Sequence, residues 1–177
     1  MKTEEIIKYD ASYNEAMFLS KVDHIFIMIL DAIMDNDMSG VKHYLSDEIY
    51  QRYENLVNTY KSKKLTRLFD QMNVKSTRID GYNISDNKLN INVTISARHM
   101  DYFIDENGNY VSGIDSYRIE KDYKIVFTKS LNAKELQEAR RCPNCGKTLD
   151  INATGVCPYC KNTIDMSNYD YIITKIE

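Results

Sequence analysis

No stretch of this chain is apolar for long enough to cross a bilayer. The most hydrophobic segment, Ile25 to Met34, is interrupted by Asp31 and falls short of the roughly 20 residues that a spanning helix needs. Neither sign of charge dominates: 23 basic side chains stand against 26 acidic ones, for a formal charge of −3, so a generic polyanion binder is not expected. Met1 to Asp10 mixes lysines and glutamates and has neither an apolar core nor a small-residue cleavage site. No secretory leader is therefore expected, and the expected location is cytoplasmic, with association to a membrane surface left open. Internal repeats and low-complexity linkers are missing, and so are a nucleophile elbow, a phosphate-binding glycine loop and a His-Glu-x-x-His motif. At 177 residues and 43% apolar content, the chain can bury one sizeable core, and one main domain is expected.

Cysteine is confined to Cys142, Cys145, Cys157 and Cys160, two Cys-x-x-Cys pairs within one short segment. Each pair closes a tight knuckle that aims two thiolates at one point. Two facing knuckles supply the four soft ligands of tetrahedral zinc, so one structural Zn2+ in a zinc ribbon is expected. With every coordination position held by sulfur, no place remains for water or substrate, and Lewis-acid catalysis is not expected. Two disulfides would use the same residues, but the rest of the chain reads as a cytosolic domain, where thiols stay reduced. Cys157-Pro158-Tyr159-Cys160 is also the active-site sequence of glutaredoxins, whose fold needs a cis-proline elsewhere. The only prolines here, Pro143 and Pro158, both lie inside knuckles. Gly146 supplies the permissive backbone that a knuckle wants after its second cysteine, whereas Lys161 at the equivalent place costs about 1 kcal/mol if left-handed.

Ahead of the cysteines the hydrophobic period changes once. From Ser12 to about Asp35, Phe18, Val22, Ile25, Phe26, Ile29, Leu30 and Ile33 recur at spacings of three and four, which predicts a long central helix. Ile27, Met28, Ala32 and Met34 widen its apolar face. Val41 to Leu45 reads as a short helical turn, and Ser46 with Asp47-Glu48 caps a second helix through Tyr60. After Leu65 the period is two. Val74 to Ile84 and Lys88 to His99 predict strands joined at Asp86-Asn87, Tyr110 to Ser112 pairs back across Asn107-Gly108, and Tyr117 to Thr128 closes the sheet. Leu89, Ile91, Val93, Ile95 and Ala97 share one face of their strand, as do Tyr123, Ile125 and Phe127 of theirs. Tyr169, Ile172, Ile173 and Ile176 fit a short C-terminal helix that packs on the main domain. The fold class is α+β: long N-terminal helices on a curved antiparallel sheet, then a small ribbon. The expected divisions are 1–139, 140–164 and 165–177.

The order of the Phe18 and Ala32-Ile33 helix, the Leu45-Ser46 to Tyr53 helix, Ile91 to Ala97 and Tyr123 to Thr128 resembles the Tim-forty-four-like domain, a member of the nuclear-transport-factor-two-like cone superfamily. The ribbon Cys142-Pro143-Asn144-Cys145-Gly146 to Gly155-Val156-Cys157-Pro158-Tyr159-Cys160 is similar to that of a bacterial branch that joins a cone to a C-terminal ribbon. Members often carry glycine where this chain has Lys161, and a membrane-spanning segment ahead of the cone, which is not seen here. Mitochondrial relatives scaffold the protein-import motor at the inner membrane and touch lipid. The resemblance therefore implies a binding or tethering role and no reaction.

Three function classes follow. The first is a non-enzymatic binding or scaffolding module that engages a protein partner or a lipid-like ligand, with an apolar pocket lined by Phe26, Ile29, Ile33, Ile91, Val93 and Ile95. The alternative is a small cone-fold enzyme doing proton-transfer chemistry, for which His99, Tyr82, Asp101 and Tyr102 are the residues to inspect; His99 itself is expected to be a partly exposed strand-end histidine. His24 and His43 sit on helices without a paired carboxylate. The third class is nucleic-acid binding through Arg140, Arg141, Lys147 and Lys161 near Tyr159, which the acidic balance of the chain disfavours.

Overall fold

The computed structural model describes residues 3–133, 142, 144–148, 156–162 and 164–177. A 3₁₀ helix, Thr3–Lys8, leads into α1, Glu15–Met34. Asn14 caps α1, its side chain accepting from the Met17 N–H at 2.9 Å. All seven residues of the expected stripe are buried, together with Ala32, while Ile27, Met28 and Met34 pack at its flanks. Asn36 turns the chain out of α1 with a left-handed backbone, φ 54°. A second 3₁₀ helix, Ser39–Tyr44, precedes Ser46, which caps α2, Asp47–Ser62, by accepting from the Ile49 N–H. Only Ile49 and Val57 of α2 are buried, so α2 covers the core where α1 runs through it.

Five antiparallel strands follow: β1 (Leu65–Leu68), β2 (Asn73–Ser85), β3 (Lys88–Asp105), β4 (Tyr110–Ser130) and β5 (Ile172–Ile176). β3 is central. β1 and β2 share one of its edges, β4 takes the other, and β5 lies outside β4. Asp86 and Asn87, at φ 49° and 58°, give the two-residue turn whose twist matches the flanking strands. Leu89, Ile91, Val93, Ile95 and Ala97 are at most 1% exposed and face α1. The fold class is thus the expected one, helices followed by a curled antiparallel half-barrel.

Three expectations are corrected. Lys88 to His99 runs on to Asp105, because β1 pairs with the extension. Tyr110 to Ser112 and Tyr117 to Thr128 are a single strand, β4. Ile119 pairs with His99 and Ile114 with Asp101, so the four residues Asp115 to Arg118 stand opposite Met100 alone and form a bulge. Gly113 beside it has φ 107°, and a Cβ there would lie 2.5 Å from the Asp101 carbonyl oxygen and the Tyr102 Cα, so only glycine fits. Finally, the C-terminal segment is a strand. β5 pairs with Ile125 to Thr128 on one side, and on the other the Ser46 N–H donates to the Ile173 carbonyl at 2.8 Å. Ile172 and Ile173 are both buried, which removes the alternation that would mark a strand.

Candidate metal centre and binding surfaces

The four cysteine sulfurs lie within 4.8 Å of one another. Cys142 and Cys160 are 3.6 Å apart and Cys145 and Cys157 are 3.7 Å apart, so the close pairs run across the knuckles. A tetrahedron with Zn–S bonds of about 2.3 Å has edges of about 3.8 Å, whereas a disulfide requires about 2.05 Å. The donor set fits a tetrahedral thiophilic metal. The knuckles share one backbone design. Gly146 N–H donates to Cys142 O and Lys161 N–H to Cys157 O, each at 2.9 Å, and both residues are left-handed, at φ 70° and 61°. The Asn144 side chain and then the Asn162 N–H pull the Cys160 thiol down to about 6, whereas Cys145, despite a lowering hydrogen bond from the Lys147 backbone, is pushed up to about 11 by burial and the neighbouring thiols, so Cys160 is the first of this pair to become a thiolate. Of the basic residues near Tyr159, Arg140 and Arg141 lie outside the described residues. Lys147 Nζ is 5.8 Å from the Tyr159 ring centre, and Lys161 is exposed.

The side chains expected to line an interior pocket are core. Phe26, Ile29, Ile33, Ile91, Val93 and Ile95 are no more than 4% exposed, and none of them lines the groove at the start of α1. α1 sits deep enough in the curl of the sheet for these residues to fill the space between them.

His99 is fully buried, contrary to the exposed strand end expected for it. The longer β3 and the edge-on Phe69 ring enclose it. Its Nδ1 lies 2.9 Å from the Met100 carbonyl, which can only accept, so Nδ1 carries the proton. Nε2 then accepts from the Tyr123 hydroxyl at 2.7 Å, and burial, with Asp101 nearby, pushes the Tyr123 phenol up to about 12. Asp101 is taken by Arg67 in a two-point contact, 2.8 Å at each oxygen. Tyr102 donates to Asp70 and Tyr82 to Glu5. These groups are satisfied separately and do not converge on a common point. His24 is exposed, and His43 stacks on Tyr44 with its Nδ1 unpartnered.

A groove of about 660 Å³ went unseen in the sequence. Its walls are the entry to α1 (Asp10 to Phe18), Lys21, Lys129 and Tyr169 to Tyr171. Asp10 holds it together. The carboxylate accepts from Lys129, Tyr171 and Ser12, and these bonds outweigh the burial that would raise its pKa, holding it below the usual range. Lys21 pairs with Asp170 across the groove. Met17 is 73% exposed at the start of α1, and the signal available in the sequence was a methionine that falls outside the buried stripe beginning at Phe18.

The helices and the curled sheet define a cone-like α+β domain. The family model described as Tim44-like domain matches residues 2–138, and the chain belongs to that family. No curated protein matches it. Among solved structures, the intermembrane space region of the chloroplast protein ARC6 is 8% identical over 90% of this chain and 94% of that one, with a TM-score of 0.44. Among the described residues, no helix is long and apolar enough to cross a membrane.

Proposed function

We propose that this protein is a non-enzymatic binding or scaffolding module of the Tim44-like type, which engages a protein partner or a lipid-like ligand at its surface. The observation that carries this reading is the groove at the start of α1. It presents Met17 to solvent beside Phe18 and the Tyr169 to Tyr171 segment, an open, mostly apolar contact surface, whereas Phe26, Ile29, Ile33, Ile91, Val93 and Ile95 are buried in the core. Methionine adapts its shape to the contact it meets. Membership of the family supports a tethering role for such a surface. In the same reading Cys142, Cys145, Cys157 and Cys160 hold one structural zinc, which cross-links the two knuckles. A photo-reactive residue at position 17 tests the groove. We expect adducts with one defined protein or with lipid, distinguished by mass, that disappear in Tyr169→Asp. Absence of any adduct in cell extract and with anionic vesicles alike would refute the groove as the binding surface.

A further inference from the structure

We infer that the groove at the start of α1 takes a proline-rich peptide in the polyproline II conformation. This rests on the reading of the groove as the binding surface and names the chemistry of its partner.

The polar side chains of the groove are unevenly used. Asp10 accepts from Lys129, Tyr171 and Ser12, and Asp170 accepts from Lys21 and from the Tyr171 N–H. Ser12 Oγ in turn lies 3.4 Å from the Lys129 ammonium. The Asn14 side-chain oxygen is spent on the Met17 N–H at 2.9 Å, which leaves its amide N–H bonds to offer. The side-chain acceptors are therefore engaged within the chain, whereas donors remain. Tyr13 is the clearest case. It lines the groove, is 9% exposed, and its buried hydroxyl has no partner. Such a group is costly to the free protein, and a ligand that supplies an acceptor removes the cost.

Charge and hydrogen bonding together narrow the occupant. Lys21 is neutralised by Asp170 and Lys129 by Asp10, in a chain whose formal charge is −3. Neither groove lysine is free for a phosphate headgroup, and a hydrocarbon chain brings no acceptor for Tyr13 or Asn14. A helical ligand spends its carbonyls internally. An ordinary extended peptide brings carbonyls, but each residue also carries an N–H that finds the groove's side-chain acceptors taken. Proline has no N–H, and a polyproline II segment keeps every carbonyl free on an apolar body. The floor suits its rings. The Tyr13 and Phe18 ring centres are 5.7 Å apart, those of Phe18 and Tyr171 5.1 Å, and Met17 stands exposed beside them. Aromatic-lined grooves receive such peptides elsewhere because the ligand is preformed and loses little entropy on docking.

Anisotropy of a fluorescein-labelled oligoproline, titrated with the full chain beside an alanine-serine peptide of equal length, tests the assignment. The oligoproline should bind with a dissociation constant on the order of 100 µM, and the control about tenfold more weakly or not at all. Tyr13→Phe keeps the ring and should weaken the oligoproline about tenfold. Without peptide, the same variant should melt at or above the native temperature, because the hydroxyl that it loses bonds to nothing. A lowered melting temperature would show that hydroxyl committed within the fold and would overturn the inference. Equal binding of the two peptides, or native affinity in Tyr13→Phe, overturns it as well. Should oligoproline fail to bind while photo-adducts at position 17 form with a protein or with phosphatidylglycerol vesicles, the proline-rich ligand is wrong and the groove reading stands. With neither binding nor adducts, both fall.

Discussion

Asp10 and Lys129 are 119 residues apart in sequence and 2.8 Å apart in space, and the carboxylate that joins them also receives the Tyr171 hydroxyl at 2.8 Å. Three distant segments meet at one side chain: the lead into α1, the end of β4 and the approach to β5. Asp10→Ala leaves the Lys129 ammonium, only 15% exposed, without its counter-charge, and is expected to lower unfolding stability by about 2 kcal/mol in urea titration. Asp10→Asn keeps an acceptor for Tyr171 and should lose less. Since the folded carboxyl titrates below the ordinary aspartate value of 3.8, its contribution is present above that pH and fades as pH falls through the folded value. The acid limb of the stability curve should therefore flatten in Asp10→Asn.

Tyr123→Phe removes the hydroxyl that donates to His99 Nε2, a side chain buried completely. A loss of about 1–3 kcal/mol is expected. Replacing both partners, as in His99→Leu with Tyr123→Phe, should cost less than the sum of the two single changes, because neither then strands the other. Additive losses would show that the hydrogen bond contributes nothing of its own.

Burial, then the nearby Lys21 ammonium, lowers the His43 pKa below 6.5, against a smaller opposing pull from Asp170. The unfolded chain therefore binds a proton at this site that the folded chain refuses. Stability from this residue is complete above about pH 6.5 and is lost as pH falls below it. Between pH 7.5 and 5.5 the native chain should lose more stability than His43→Gln does. Equal losses in chemical denaturation at the two pH values would dismiss this histidine as a contributor.

Metal analysis is expected to give about one zinc per chain, lost in Cys145→Ser. The same change should leave the main core folded. Opening the ribbon lengthens the free connection between β4 and β5 by no more than a doubling, which costs only about 0.6 kcal/mol. Amides of β3 should keep their exchange protection; their loss would mean that ribbon and core unfold as one.

Ile173 is fully buried and pairs with Phe127, so Ile173→Ala is expected to cost about 2–4 kcal/mol, read as a lowered melting temperature. An unchanged melting temperature would mean that β5 is not needed to close the core.

Periodicity was enough for α1, for the inner face of β3 and for the cap at Ser46, since each is a local pattern that packing then uses. The cysteine spacing located the candidate metal centre for the same reason. What stayed hidden depends on distant partners. Ile172, Ile173 and Ile176 satisfy a helical spacing as well as a strand buried on both faces, and only pairing with Ile125 to Thr128 decides between them. The phase of His99 along β3 was legible, but its burial depends on β1 and Phe69, which arrive from another hairpin. Nor could any residue count show that side chains from α1 and β3 would fill the cone. The bulge at Asp115 to Arg118 hides in a run that alternates poorly, and it broke one strand into two readings.

Because the chain returns to add β5 only after the cysteine segment, the ribbon is threaded into a sheet connection like a bead on a loop. Trimming the protein to its family-matched span, residues 2–138, would discard a structural strand along with the metal ligands and bare the Ile125 to Thr128 edge. A ribbonless protein has to be made by splicing instead, with a short linker joining Leu131 to Asp165, so that Ile173 can still reach Ser46.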